Sequence, residues 1–143
     1  MKTFIPKDKD INRKSYLIDA TGKTLGRLAT RVATLLIGKG KTCFAKDMLT
    51  GDQVIIINAE KVLVTGKKKE DKIYKHFTGF PGGLKTYTYE ELMEKKPTEI
   101  IMRAVSRMLP KTRNGDVMLK RLRVYAGAEY RNKAQKPTLI EVK

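Results

Sequence analysis

The sequence predicts an α/β fold: one compact domain with a central, mostly parallel sheet flanked by helices, and extended basic termini. Three observations carry that expectation. A segment rich in β-formers, a glycine turn and an amphipathic stretch follow one another from residue 15, which is βα order. Val54, Ile55, Ile56 and Ile57 form an unbroken β-branched run, the pattern of a strand covered on both faces. Strand-like and helix-like segments then alternate along 143 residues, a length that suits a single domain. We expect an N-terminal extension over residues 1–14, a core over 15–127 and an extended tail over 128–143.

Each element has a local reason. Residues 15–20, SYLIDA, form the first strand and end at Thr21-Gly22. From 24 to 37, Leu25, Leu28, Ala29, Val32, Leu35 and Leu36 recur at helical spacing, which predicts a helix about 21 Å long. Thr24 is placed to cap its start, and Gly38 and Gly40 to stop it. Residues 53–58 form the central strand and 62–65, VLVT, a second apolar strand. Gly66 opens a basic segment that leads into a strand at 73–77.

The second half reads as helices. Thr88-Tyr89-Glu90-Glu91 matches a capping box. Pro97 suits a first helical position, and Ile100, Ile101, Ala104, Val105, Met108 and Leu109 make one apolar face, with Arg103 and Arg107 displaced from it. Pro110 ends that helix, because it lacks a backbone donor and restricts the residue before it. A short helix at 116–121 and a strand at 122–125 follow, and then the polar tail.

Lys and Arg number 31 against 15 Asp and Glu, a formal net charge of +16. Such an excess in one domain points to a polyanion partner. The nets are +5 over residues 1–36, +5 over 37–89, −2 over 90–102 and +8 over 103–143. The acidic interruption holds Glu90, Glu91, Glu94 and Glu99, and we expect it to face water or protein. No apolar run approaches the roughly 18 residues of a membrane span. The charged first residues lack the apolar stretch of a secretory signal, which predicts retention in the compartment of synthesis. With one Cys and one His, neither a disulfide nor a zinc site built from Cys and His alone can form. Cys43 reads as a small buried hydrophobe.

Enzyme chemistry finds little purchase. Gly22-Lys23-Thr24 lies where a phosphate-cradling loop would, but the glycine required five residues earlier is Leu17. Gly40-Lys41-Thr42 has Leu35 at that position and follows a helix. A helix N-terminus at Thr24 still favours an anion, and an RNA phosphate meets that preference as well as a nucleotide does. His76 has no partner at catalytic spacing; beside Lys72 and Lys75 its simplest role is contact with a base or phosphate. No cofactor is implied.

Candidate binding residues are the cations instead. Arg27 and Arg31 share an outward helix face between Lys23 at one end and Lys39 and Lys41 at the other, with no acidic residue from 24 to 45. Lys67, Lys68, Lys69, Lys72 and Lys75 form a second zone, with His76. Lys111 and Arg113 in the loop after Pro110, then Lys120, Arg121 and Arg123, form a third, anchored by Leu119, Leu122 and Val124. Arg131, Lys133 and Lys136 extend it into the tail. Unpaired like charges repel, so such zones make sense as phosphate trackers. Phe77, Phe80 and Tyr130 are candidates for stacking on unpaired bases.

In Met108-Leu109-Pro110, Gly115 and Val124-Tyr125-Ala126-Gly127 the sequence resembles the L-thirteen family of large-subunit ribosomal proteins. The likeness runs on through Tyr16 to Ala20, Thr24 to Ala29, Gly51-Asp52 with Val54 to Lys61, Thr65-Gly66-Lys67, His76 with Thr78-Gly79 and Gly82-Gly83, and Ala134-Gln135 with Pro137. It covers nearly the whole chain. The resemblance implies a bacterial-type, non-catalytic protein that binds large-subunit rRNA early in subunit assembly. It also implies a cytoplasmic place within that subunit, beside neighbouring ribosomal proteins. A free mRNA-binding regulator and a nucleotide-binding enzyme built on Lys23 and Thr24 are the other classes.

Overall fold

The computed structural model describes Pro6, Lys7, Lys9 and residues 11–142; positions 1–5, 8 and 10 of the expected N-terminal extension, and Lys143, lie outside the described residues. β1 (Ser15–Asp19) pairs in parallel with β2 (Gln53–Ile57), Ser15 opposite Gln53 and Asp19 opposite Ile57. β5 (Leu122–Val124) lies on the far side of β2 and β6 (Thr138–Leu139) on the far side of β1, both parallel. The strand order is therefore β5-β2-β1-β6. The apolar run of β2 explains its central place: Val54, Ile55 and Ile56 are all fully buried, although alternate residues point to opposite faces.

α1 (Leu25–Ile37) lays Leu25, Leu28, Ala29, Val32, Ala33 and Leu36 on the sheet and on α4 (Pro97–Met108). Fully buried side chains such as Leu28 and Leu36 each contribute about 1.5–3 kcal/mol by leaving water. Gly38 ends α1 at φ 79°, a left-handed angle in which its N–H reaches the Thr34 and Leu35 carbonyls. Thr24, expected to cap the other end, makes no side-chain cap bond. The Leu25 N–H donates instead to the Leu63 carbonyl at 2.9 Å.

That bond also corrects the strand expected at 62–65. Its one ladder contact is an isolated parallel bridge from Leu63 to Thr24. A 3-10 turn at Ala59–Lys61, entered through Asn58 at φ 57°, swings the chain away from the sheet and leaves Leu63 47% exposed. Asn58 is held there by donating to Asp19 Oδ1 at 2.9 Å, and the Thr21 N–H and hydroxyl donate to the same oxygen at 2.9 and 2.7 Å. These bonds, the Asn58 contact foremost, lower the Asp19 pKa from its ordinary value.

α2 (Lys68–Asp71) leads into an antiparallel ribbon of β3 (Ile73–Phe77) and β4 (Leu84–Thr88). β3 stands where the sequence predicts it; β4 has no counterpart among the predicted strands. The capping box forms as the spacing requires: the Glu91 N–H donates to the Thr88 hydroxyl, and the Thr88 N–H to the Glu91 carboxylate. It starts α3 (Tyr89–Lys95), and α4 follows from Pro97. α5 (Arg113–Lys120) begins three residues earlier than expected, because Thr112 accepts from the Gly115 N–H. Beyond β5 the tail returns: the Ile140 N–H donates to the Leu17 carbonyl, and Val142 joins the core.

Met108 does not share the burial of Ile101 and Val105. It closes the last turn of α4 and is 42% exposed, where the other two are fully buried. Met108→Asp is accordingly expected to fold, while Val105→Asp, which buries an unpaired carboxylate, is expected to yield no cooperative thermal transition. Asp19 gives a pH signature. Its depressed folded pKa adds stability that is complete above the unfolded value of about 3.9 and is lost as pH falls through the folded value. The stability gap between wild type and Asp19→Asn should therefore narrow on going from about pH 7 to about pH 3, as read by urea denaturation.

Candidate nucleic-acid interface

The predicted cations divide into those held by the protein and those left to solvent. Lys41 belongs to the first group. Its Nζ donates to Asp52 Oδ1 at 2.5 Å and to the Asn12 carbonyl at 2.7 Å. Asp52 is only 3% exposed and accepts from the Lys14 N–H as well, at 2.8 Å. Arg121 is the second: its guanidinium donates to the Gly51 carbonyl at 3.0 Å. Burial, with Arg13 nearby, lowers the pKa of Arg121, and Asp52 acts in the opposite direction. Both side chains thus brace the corner where β2 begins.

Arg27 and Arg31 stand exposed on the outer face of α1, one turn apart as their spacing requires, and neither has an ion-pair partner among the described residues. They flank a groove of 890 Å³ that runs along Thr30 and Thr34 to Glu141 and Val142 of the tail. Lys39 is exposed just past α1, and Lys23 half-buried just before it. Lys67, Lys68 and Lys69 are exposed around α2. On the ribbon Lys75 and His76 alternate, both exposed, Lys75 opposite Thr86 and His76 opposite Lys85. Exposed Lys111 and Arg113 lie by a 360 Å³ cavity at the start of α5, and Lys120 and Arg123 are exposed on either side of Arg121. Arg131, Lys133 and Lys136 are exposed in the tail.

Phe77 and Phe80 are 60% and 73% exposed on the ribbon, which leaves their ring faces available for stacking; Tyr130 is half-buried. Of the acidic stretch, Glu91 serves the capping box and Glu99 accepts from Arg103 at 2.6 and 3.0 Å, while Glu90 and Glu94 are exposed.

Two cations outside the predicted set belong here. Arg103 and Arg107 of α4 enter a 290 Å³ cleft with Lys68 and Lys72, at the start of α1. The sequence carries the signal: they are four residues apart beside an apolar stripe, as Arg27 and Arg31 are. Lys72 Nζ and Arg103 Cζ lie 5.4 and 5.6 Å from the Tyr74 ring centroid, within cation–π range. Burial, then Lys68 and Arg107, lower the Lys72 pKa.

A nucleotide loop at Gly22 is incompatible with this geometry. The Gly22, Lys23 and Leu25 N–H groups are bonded to the Lys61, Ala20 and Leu63 carbonyls, so those amides are closed to a triphosphate.

A parallel α/β domain whose first loop is closed to nucleotides, and whose helices, ribbon and tail carry unpaired cations, has the chemistry of a phosphate-backbone binder. The chain belongs to the ribosomal protein L13 family, whose pattern matches residues 13–131. It is 51% identical over 142 residues to the large ribosomal subunit protein uL13 of Caldanaerobacter subterraneus subsp. tengcongensis, covering 99% of each chain. It is 50% identical to that of Clostridioides difficile over the whole of both chains, and 51% identical to that of Thermotoga maritima over 99% of this chain and 95% of the relative. Membership sets it among ribosomal proteins and not among nucleotide-hydrolysing enzymes.

Lys41→Met keeps the aliphatic stem but strands the Asp52 carboxylate, and should lower stability by about 3 kcal/mol in urea denaturation.

Proposed function

We propose that this chain is a structural constituent of the large ribosomal subunit that binds large-subunit rRNA and acts early in assembly, in the cytoplasm, beside neighbouring ribosomal proteins. Relatives matched end to end are named as proteins of that subunit. The observation that carries the reading is the set of exposed, unpaired cations: Arg27 and Arg31 on α1, the α2 and β3 lysines, and Lys111, Arg113, Lys120 and Arg123 around α5. Cations fixed on rigid elements recognise RNA by the spacing of its phosphates, so shape and charge outweigh base readout. Arg121 and Lys41 act one step back, by fixing the corner that presents the others.

Two measurements test this. The protein should co-sediment with large subunits, and failure to do so would remove the ribosomal reading. Lys120→Ala with Arg123→Ala should weaken rRNA binding and flatten its salt dependence by about 0.7–0.9 in log–log slope for each phosphate no longer neutralised, read by filter binding over a salt series. Arg121 is left intact in that variant, so its bond to Gly51 is preserved.

A further inference from the structure

The cleft at the start of α1 gathers more uncompensated positive charge than any stabilising role explains. Lys68 and Lys72 approach it from the α2 side, Arg107 and Arg103 from α4. Arg103 is neutralised by Glu99, but Lys68, Lys72 and Arg107 have no ion-pair partner among the described residues. No carboxylate lines the cleft. Three like charges around 290 Å³ raise the free energy of the empty protein, and the lowered Lys72 pKa reports that repulsion together with burial.

Two further groups converge on the same place. Thr24 leaves the first turn of α1 without a side-chain cap, and the Gly26 and Arg27 N–H groups have no acceptor among the described residues. They form the positive end of a thirteen-residue helix, with Gly26 lining the cleft. Tyr74 also lines it. That side chain is 4% exposed and sets its ring beside Lys72 and Arg103, which fixes the two cations at the cleft wall. Cations and backbone amides are all donors, and an oxyanion is the ligand that accepts from both.

We propose that this cleft, bounded by the start of α1, by α2 and by α4, binds one phosphate group of an RNA strand. It rests on the rRNA-binding reading and adds to it a discrete subsite with Arg107 and Lys68 as its principal cations.

The test compares the full chain with a Lys68→Gln/Arg107→Gln variant in filter binding to large-subunit rRNA over a salt series, and in thermal melting with and without inorganic phosphate. The variant should bind RNA about tenfold more weakly, as removal of a charge-assisted hydrogen bond requires. Its salt slope should be shallower by about 0.7–0.9, the signature of one phosphate. Its melting temperature without RNA should equal or exceed that of wild type, because repulsion is relieved. Unchanged RNA affinity and slope, with wild type binding normally, would overturn the subsite and leave the rRNA reading standing. Failure of wild type to bind rRNA would overturn both. If inorganic phosphate raises the melting temperature of wild type alone while RNA binding is unaffected, the cleft takes free phosphate and the RNA assignment is wrong. Should the double variant melt early, Lys68→Gln alone, at an exposed position of α2, reads the same flattening of slope.

Discussion

The corner at Thr50, Gly51 and Asp52 is the constraint on which the rest of the molecule depends. At Gly51 the chain passes so close to the end of α1 that a Cβ there would overlap the Leu36 carbonyl, so only glycine lets β2 enter the sheet directly beneath the helix. Around that close approach, the Asp52 N–H donates to the Leu35 carbonyl and the Thr50 hydroxyl to the Ile37 carbonyl. Asp52 turns its carboxylate back to the Lys14 N–H and to Lys41. Arg121, seventy residues on, closes the corner from the α5 side. One buried acid and one glycine thereby fix the start of β1, the end of α1, the entry of β2 and the approach of β5. Without them the outward arginines of α1 would have no defined relation to the cations after Pro110.

Charge is consequently used in two ways that the same residue types conceal. Lys41 and Arg121 satisfy buried acceptors, and their value lies in geometry. Arg27, Arg31, Lys120 and Arg123 satisfy nothing within the described protein, and a net charge of +16 makes each a source of repulsion in the free chain. An arrangement that is unfavourable alone becomes favourable against a polyanion, whose phosphates supply the missing counter-charge and release condensed ions. The acidic stretch fits that division. Glu91 and Glu99 are occupied by a helix cap and by Arg103, so they do not screen the α1 and α5 cations.

How much of this is legible in the sequence depends on how local the cause is. α1, the β2 run, the Thr88 capping box and the Pro97 start are all determined within about one or two turns of chain, and the structure has them. The 62–65 segment fails for a non-local reason. Its apolar residues suit a strand, but after the Asn58 turn only Leu63 pairs, its carbonyl accepting from the Leu25 N–H at the start of α1 and its N–H donating to the Lys23 carbonyl. β4 has β-formers in Thr86, Tyr87 and Thr88, but they run straight into the capping box, and β6 has only two residues; the register of each is set by its partner strand. Met108 keeps helical phase with Val105, but helical phase does not report where the neighbouring helix stops. For the candidate interface the limit is sharper. Nothing in the composition separates Lys41 from Lys39, or Arg121 from Lys120. The partners that distinguish them are 11 and 70 residues away.

On the proposed rRNA-binding role, the stability of the fold and the affinity for RNA are coupled through the same side chains. A partner that binds only the folded chain stabilises it by mass action, and the gain grows with the ratio of free partner to dissociation constant. That gain would fall on cations whose mutual repulsion weakens the free protein, so each phosphate neutralised would relieve a strain as well as add an attraction. The core built on Leu28, Leu36, Ile56 and Ile101 holds no cation, only the phenols of Tyr74 and Tyr89 at its edge, so its burial does not depend on a polyanion partner. The tail is placed differently. β6 holds to β1 by a two-residue ladder beside exposed Lys133 and Lys136, and beyond it Ile140 is half-buried and Val142 buried against the core. With less apolar surface buried than β1 or β2, this last segment opens at a lower free energy than the centre of the sheet, whose strands are covered on both faces.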